Sequence, residues 1–221
     1  MIYVPVFSPS SDAVARSQTS TTPWRIVIDG DSVSKGAGAS AEMTPDKQIC
    51  SILGESVEVE NIGVNGFQVL KTLERYQSVV APLFNPEAPF NFILYHAGDN
   101  DIYVKKSSQE TYENFSRYVA LAHAQGWKVI VSTEIERFDW PAEPQQELRE
   151  YNRLLLANSA HADAVVDLNA LPGMAGPASR ANPAYFHPDG IHPSDGGYAL
   201  IVQLYVDAMN DLVILQLSAS S

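Results

Sequence analysis

RIVIDGDS, residues 25–32, is an unbroken apolar run that ends abruptly on Gly-Asp-Ser. Continuous Ile and Val, rather than alternation with polar residues, is the pattern of a strand buried on both faces, as in a parallel sheet. Runs of similar length recur at 57–61, 90–96, 128–132 and 164–168, which predicts five strands counting 25–29. Between them, 44–54, 67–80, 109–125, 144–160 and 195–210 carry apolar residues at helical spacing. In the third, Tyr112, Phe115, Tyr118, Val119 and Ala122 fall on one face and Gly126 follows as a C-terminal stop. Such alternation predicts an α/β fold: a mostly parallel five-stranded sheet with helices on both faces, a three-layer α/β/α sandwich. Ligands in these sheets bind beyond the carboxyl ends of the strands. The residues just after each strand are therefore the ones to read for chemistry.

The length of 221 residues suits one core, and the folded domain is expected over 24–221. Residues 1–23, rich in Ser and Thr from 8 to 22, read as an N-terminal arm or linker. The formal net charge of −12 repels phosphate backbones and anionic membrane surfaces, so nucleic acid is excluded as an expected partner. Cys50 is the only cysteine, which excludes an intrachain disulfide framework and a cysteine-rich zinc site. No apolar run approaches the roughly 20 residues of a membrane span. Met1 to Phe7 lacks the basic leader and long apolar stretch of a signal peptide. The compartment stays open, secreted if a leader has been removed and otherwise cytoplasmic, and so does the oligomeric state.

Ser32 follows the first strand at the edge where an open sheet presents reactive groups. Asp189-Gly-Ile-His192-Pro193 places a carboxylate three residues before an imidazole at the start of the last helix. A serine hydroxyl becomes a nucleophile when a base takes its proton, and the base needs a carboxylate to fix its tautomer. Ser32, His192 and Asp189 supply those roles. Two further segments end on predicted strand ends, Asn61-Ile-Gly-Val-Asn-Gly66 and Gly98-Asp-Asn100-Asp101. A glycine N–H and an asparagine amide there can stabilise the oxyanion of acyl transfer.

In order and in position these segments resemble the block pattern of the SGNH hydrolases, the GDSL-type esterases and lipases. The match reads GDS at 30–32, NIGVNG at 61–66, GDND at 98–101 and DGIHP at 189–193. The likeness implies a flavodoxin-like fold and a serine esterase that needs no metal or cofactor. It also implies catalytic Ser32, Asp189 and His192, with an oxyanion hole from the Ser32 N–H, the Gly66 N–H and the Asn100 side chain. Gly63 stands as an alternative to Gly66. Asp29 and Asp99 depart from the common pattern, and both are expected to add negative charge near the mouth unless neighbouring backbone holds them. Small members of the family remove short acyl groups, often acetyl, from carbohydrates, and others cleave lipid esters or thioesters. The substrate expected here is a small-molecule or carbohydrate ester, with Asp31, Asp99, Phe138, Trp140 and His187 as candidate substrate contacts.

Other readings compete. GAGASA at 36–41 fits a loose dinucleotide pattern, but its glycines begin seven residues past Asp29, too late for the first turn after a strand. His187, Asp189, His192 and Asp195 cluster densely enough to suggest a divalent metal, although the spacing is not H-E-x-x-H. His96 and His123 read as structural. Acyl transfer to an acceptor other than water would use the same residues, and a binding module could keep the fold without the chemistry.

Overall fold

The computed structural model describes residues 22–219, so the arm expected over 1–23 lies, through residue 21, outside the described residues. Five strands form one sheet in the order β2-β1-β3-β4-β5. They are β1 (Trp24–Gly30), β2 (Val57–Asn61), β3 (Asn91–His96), β4 (Lys128–Ser132) and β5 (Ala164–Val166). Every pairing is parallel, which sharpens the expected mostly parallel sheet. This is the flavodoxin-like order, and its topological switch point falls between β1 and β3. The register there sets Gly30 beside His96, so the loops after both strands leave side by side.

The helices are α1 (Ser32–Lys35), α2 (Pro45–Leu53), α3 (Val69–Arg75), α4 (Asp99–Tyr103), α5 (Ser108–Gln125), α6 (Ala142–Ala157) and α7 (Asp195–Ala219). Alternation along the strands divides the core. Ile26, Ile28, Phe92, Leu94 and Ile130 face α2 and α7, where Ile49, Tyr198, Ile201 and Val202 cover them. Val27, Ile93, Tyr95, Val129 and Val131 face the other way, onto Val69, Tyr112, Phe115, Tyr118 and Tyr151. Each fully buried Ile, Val or Phe of this kind contributes about 1.5–3 kcal/mol relative to exposure. The expected face of α5 is buried throughout, and the helix stops on Gly126 in the left-handed region with φ of 103°.

Three boundaries differ from the sequence reading. β5 stops at Val166 because the Asp167 carboxylate takes the Asn169 N–H and the Thr133 hydroxyl, which turns the chain out of the ladder. The expected helix over 67–80 is α3 followed by a π turn, Tyr76–Val80, before Pro82. The last helix runs 25 residues to Ala219, well past 210, since no Gly or Pro follows Gly197 within it. By length and composition α7 is apolar enough to cross a membrane, although the sequence reading found no such run. One stripe of it, including Tyr198, Ile201, Tyr205 and Met209, is buried against the sheet.

Candidate active site

Gly30 ends β1 under two constraints. Its φ is 136°, and a Cβ there would lie 1.9 Å from the His96 carbonyl oxygen, so only glycine fits beside β3. Asp31 then caps α1 by accepting the Val33 N–H at 2.9 Å, and its own N–H is held by His96 O at 3.0 Å. Ser32 is thereby placed on the first turn of a helix, past the end of the central strand. On the neighbouring strand, Gly98 is equally restricted, since a Cβ would meet the Tyr151 ring at 2.2 Å.

The loop before α7 brings the remaining groups over Ser32. His192 Nε2 lies 2.9 Å from Ser32 Oγ, and His192 Nδ1 lies 2.8 Å from Asp189 Oδ2. Asp189 Oδ1 accepts the N–H groups of Ile191 and His192 at 2.8 and 3.0 Å, which closes the turn between the two side chains. Burial works against the Asp189 carboxylate, but these hydrogen bonds, led by the His192 ring, win and hold its pKa well below the ordinary range. An ionised carboxylate only accepts, so Nδ1 carries the proton and Nε2 of the neutral ring is left to accept from the Ser32 hydroxyl.

Asn100 sits at the start of α4, and its Nδ2 reaches Phe67 O at 3.1 Å and Asp31 Oδ2 at 3.4 Å. One amide thus touches the residue after Gly66 and the residue before Ser32. Gly63 N–H is already used by Asn61 Oδ1 at 3.0 Å, whereas Gly66 is exposed in a turn and, among the described residues, no acceptor takes its N–H. Ser32 N–H, in the first turn of α1, has no partner within the helix either.

The expected substrate contacts divide. His187 stands at the rim, exposed, with Nδ1 3.2 Å from Asp189 Oδ2. Asp99 is partly exposed and lies 3.8 Å from Arg137, and Phe138 is half-buried. Asp31 and Trp140 do not fit the expectation. Asp31 has 0% exposure because capping α1 turns its carboxylate inward. Trp140 is covered by the Arg137 guanidinium, 4.8 Å from its ring, and by Tyr103 at 6.0 Å, so Tyr103 is the open ring of this pair. Asp29 does not charge the mouth. As the partner of Val27 in the strand alternation, it points under α3 and α5, where it is buried against Arg75, Tyr118 Oη at 2.7 Å and Gly30 N–H at 2.7 Å. Burial raises its pKa, against the lowering by Arg75 and Tyr118.

Asp195 turns away from the two histidines and binds Ser40 N and Oγ at 2.7 and 2.9 Å. That contact removes it from the suggested metal cluster. It also ties GAGASA to the start of α7, with Tyr198 Oη donating to Ala37 O at 2.8 Å, so the segment is a packing loop rather than a phosphate cradle.

Sequence reading missed Glu134, Arg137 and Arg180, which lie outside the motif blocks. His96, read as structural, is fully buried behind Ser32: Nε2 is 3.0 Å from Glu134 Oε2 and Nδ1 is 2.7 Å from Ser132 Oγ. Asp31, His96 and Glu134 bring their ligand-type atoms within 4.8 Å of one another. Burial raises both carboxyl groups. It also opposes the imidazolium, yet Glu134, with Asp31 and Asp99 adding, pushes His96 up to about 9. The folded chain therefore holds a His96 proton that the unfolded chain releases near its ordinary value of about 6.5. Stability from this proton is complete below about 6.5 and is lost as pH rises through the folded value of about 9. The thermal midpoint is expected to fall between those pH values, and to fall less steeply in His96→Gln. A wild-type midpoint that stays flat across the window would contradict it.

The fold and the site together define a class: a doubly wound parallel sheet whose switch point carries a hydrogen-bonded Ser-His-Asp constellation. A family profile described as GDSL-like Lipase/Acylhydrolase matches residues 30–200, and the chain belongs to this family, the SGNH hydrolases. It is accordingly an acylhydrolase. Solved structures show the same fold. A lipolytic protein of the G-D-S-L family from Veillonella parvula is 22% identical over 83% of this chain and 97% of its own, with a TM-score of 0.67. The psychrotrophic esterase EstA from Pseudoalteromonas is 14% identical over 86% and 98%, with a TM-score of 0.65. The acetyl xylan esterase AlAXEase is 18% identical over 84% and 98%, with a TM-score of 0.64. A search of curated proteins finds no match to this chain.

Proposed function

We propose that the protein is a serine esterase that cleaves short acyl esters, acetyl above all, from a small or carbohydrate alcohol through an acyl-Ser32 intermediate. The observation that carries the reading is the pair of hydrogen bonds that link Asp189 Oδ2, His192 and Ser32 Oγ at 2.8 and 2.9 Å. His192 Nε2 takes the Ser32 proton as Oγ attacks the carbonyl carbon. The resulting oxyanion is met by the N–H groups of Ser32 and Gly66 and by Asn100 Nδ2. The tetrahedral species collapses, the C–O bond to the alcohol breaks, and the alcohol leaves with the proton from His192. Water, deprotonated by His192, then attacks the acyl carbon, and the acid departs as Ser32 recovers its hydrogen.

Two observations support the short-acyl preference. A cavity of about 700 Å³, lined by Phe84, Pro89, Asn91, Lys128 and Leu212, opens at the starts of β3 and β4. That is the opposite end of the sheet from Ser32, so this cavity cannot receive the chain of an acyl group bound there. One similar structure is also an acetyl xylan esterase.

Purified protein is expected to hydrolyse p-nitrophenyl acetate, with rates that fall as the acyl chain lengthens. The activity should survive a chelator. Rates that rise with chain length would replace the short-acyl reading by a lipid or thioester one, and chelator-sensitive turnover would remove Ser32 from the centre of the chemistry.

A further inference from the structure

Gly190 and Ile191 lie between the two side chains of the Asp189–His192 turn. Their carbonyl oxygens both accept from Arg180 Nη1, at 3.1 and 3.0 Å. The rest of the same guanidinium is bound elsewhere. Nη2 donates to Ile135 O at 2.8 Å and Nε donates to Glu136 O at 2.8 Å. Its carbon lies 5.4 Å from the Phe186 ring centre. This cation, seated in the short turn Ser179–Ala181, therefore makes four hydrogen bonds to backbone carbonyls of two separate loops.

The two loops differ in how firmly they are held. Residues 133–136 continue directly from β4. Thr133 N–H binds Val166 O at 3.0 Å, Glu134 N–H binds Asn152 at 2.8 Å, and Glu136 N–H binds Asn169 at 3.0 Å. The 189–192 turn carries exposed Asp189 and Ile191; its His192 carbonyl accepts from His187 N–H at 2.9 Å and Asp189 takes the N–H groups of Ile191 and His192, which leaves the Gly190 and Ile191 carbonyls to Arg180. Ser32 is fixed by β1 and α1, so its distance to His192 depends on how this exposed turn is referred to the sheet.

We propose that Arg180 is a positioning residue for ester hydrolysis, clamping the Asp189–His192 turn to the chain leaving β4 so that His192 meets Ser32. This rests on the serine esterase reading above. A planar fork with separated donors can bridge four carbonyls on two loops, and a lysine ammonium on a flexible stem cannot. Burial, with the nearby Arg137 charge adding, lowers the Arg180 pKa to about 10, which leaves the clamp charged at neutral pH.

The test compares wild type, Arg180→Ala and Arg180→Lys, with active sites counted by stoichiometric release of p-nitrophenol from a serine-reactive phosphonate ester. Turnover per titrated site is expected to fall about 10- to 100-fold in Arg180→Ala, the scale of an ångström of misplacement, with little change in KM. Guanidinium ion at millimolar concentration should restore part of the loss in Arg180→Ala, and Arg180→Lys should recover little. If Arg180→Ala does not fold, Arg180→Lys carries the comparison. A second readout needs no substrate. The low-field proton resonance of the His192–Asp189 hydrogen bond should be present in wild type and lost or broadened in the variants. Unchanged turnover per titrated site, or an unchanged low-field resonance, would overturn the proposal. Absence of Ser32-dependent hydrolysis in the wild type would instead strike the esterase reading, and the resonance would still judge the clamp.

Discussion

Ser32→Ala and His192→Ala are each expected to lower ester turnover by on the order of 10⁴- to 10⁶-fold, and the double variant to be no worse than either alone. The reason is geometric. His192 Nε2 at 2.9 Å from Ser32 Oγ is useful only for the proton on that oxygen, and Oγ is a weak nucleophile without that base. Each half of the pair is therefore worth little alone. Asp189→Asn should cost roughly 10²-fold less than loss of Ser32, because it disturbs the tautomer and charge of His192 without removing a reacting atom. The measurement is p-nitrophenyl acetate hydrolysis at matched protein concentration, with folding checked by circular dichroism. Strictly additive losses in the double variant, or a Ser32→Ala protein with wild-type turnover, would remove the triad from the mechanism.

Asp29→Ala is expected to destabilise the fold by about 3–5 kcal/mol, the cost of removing one partner from a buried ion pair. With native stabilities of about 5–15 kcal/mol, that is a large share of the total. Asp29 has no exposure, and its carboxylate takes Arg75, the Tyr118 hydroxyl and the Gly30 N–H. Without it, Arg75 keeps, among the described residues, the Ile62 carbonyl at 2.8 Å and the Phe67 ring at 4.6 Å, and Tyr118 Oη loses the acceptor it has there. Asp29→Asn preserves the shape and one acceptor, so it should lose less. Urea unfolding decides the matter through the midpoint at constant slope. A loss below about 1 kcal/mol, the scale of a surface pair, would show that this cluster is not what secures the end of β1.

Legibility followed the length and periodicity of each element. β2 and β4 are recovered to the residue: Val57 and Val59 alternate with Glu in β2, and Val129 to Val131 form an apolar run in β4. α1 and α4, of four and five residues, escaped, since neither completes enough turns to show a helical period. Asp29 stood open between the mouth and the neighbouring backbone, although alternation along β1 puts it on the Val27 side, beneath α3 and α5. Trp140 stood as a candidate substrate contact because nothing local shows that Arg137, three residues earlier, folds back over its ring.

The sequence by itself determined the layered architecture, the family and the four segments that meet at the switch point, because these depend on local period and on short motifs at strand ends. Tertiary structure alone decided which members of those segments face outward. It buried Asp31 and sent Asp195 to Ser40. It also assembled the His96–Glu134 pair and the Arg180 clamp, whose partners lie 38 and about 45 residues apart along the chain. Contacts of that kind arise from loops converging at one sheet edge and from the cost of leaving a charge unpaired in the interior, and neither leaves a periodic trace in the chain.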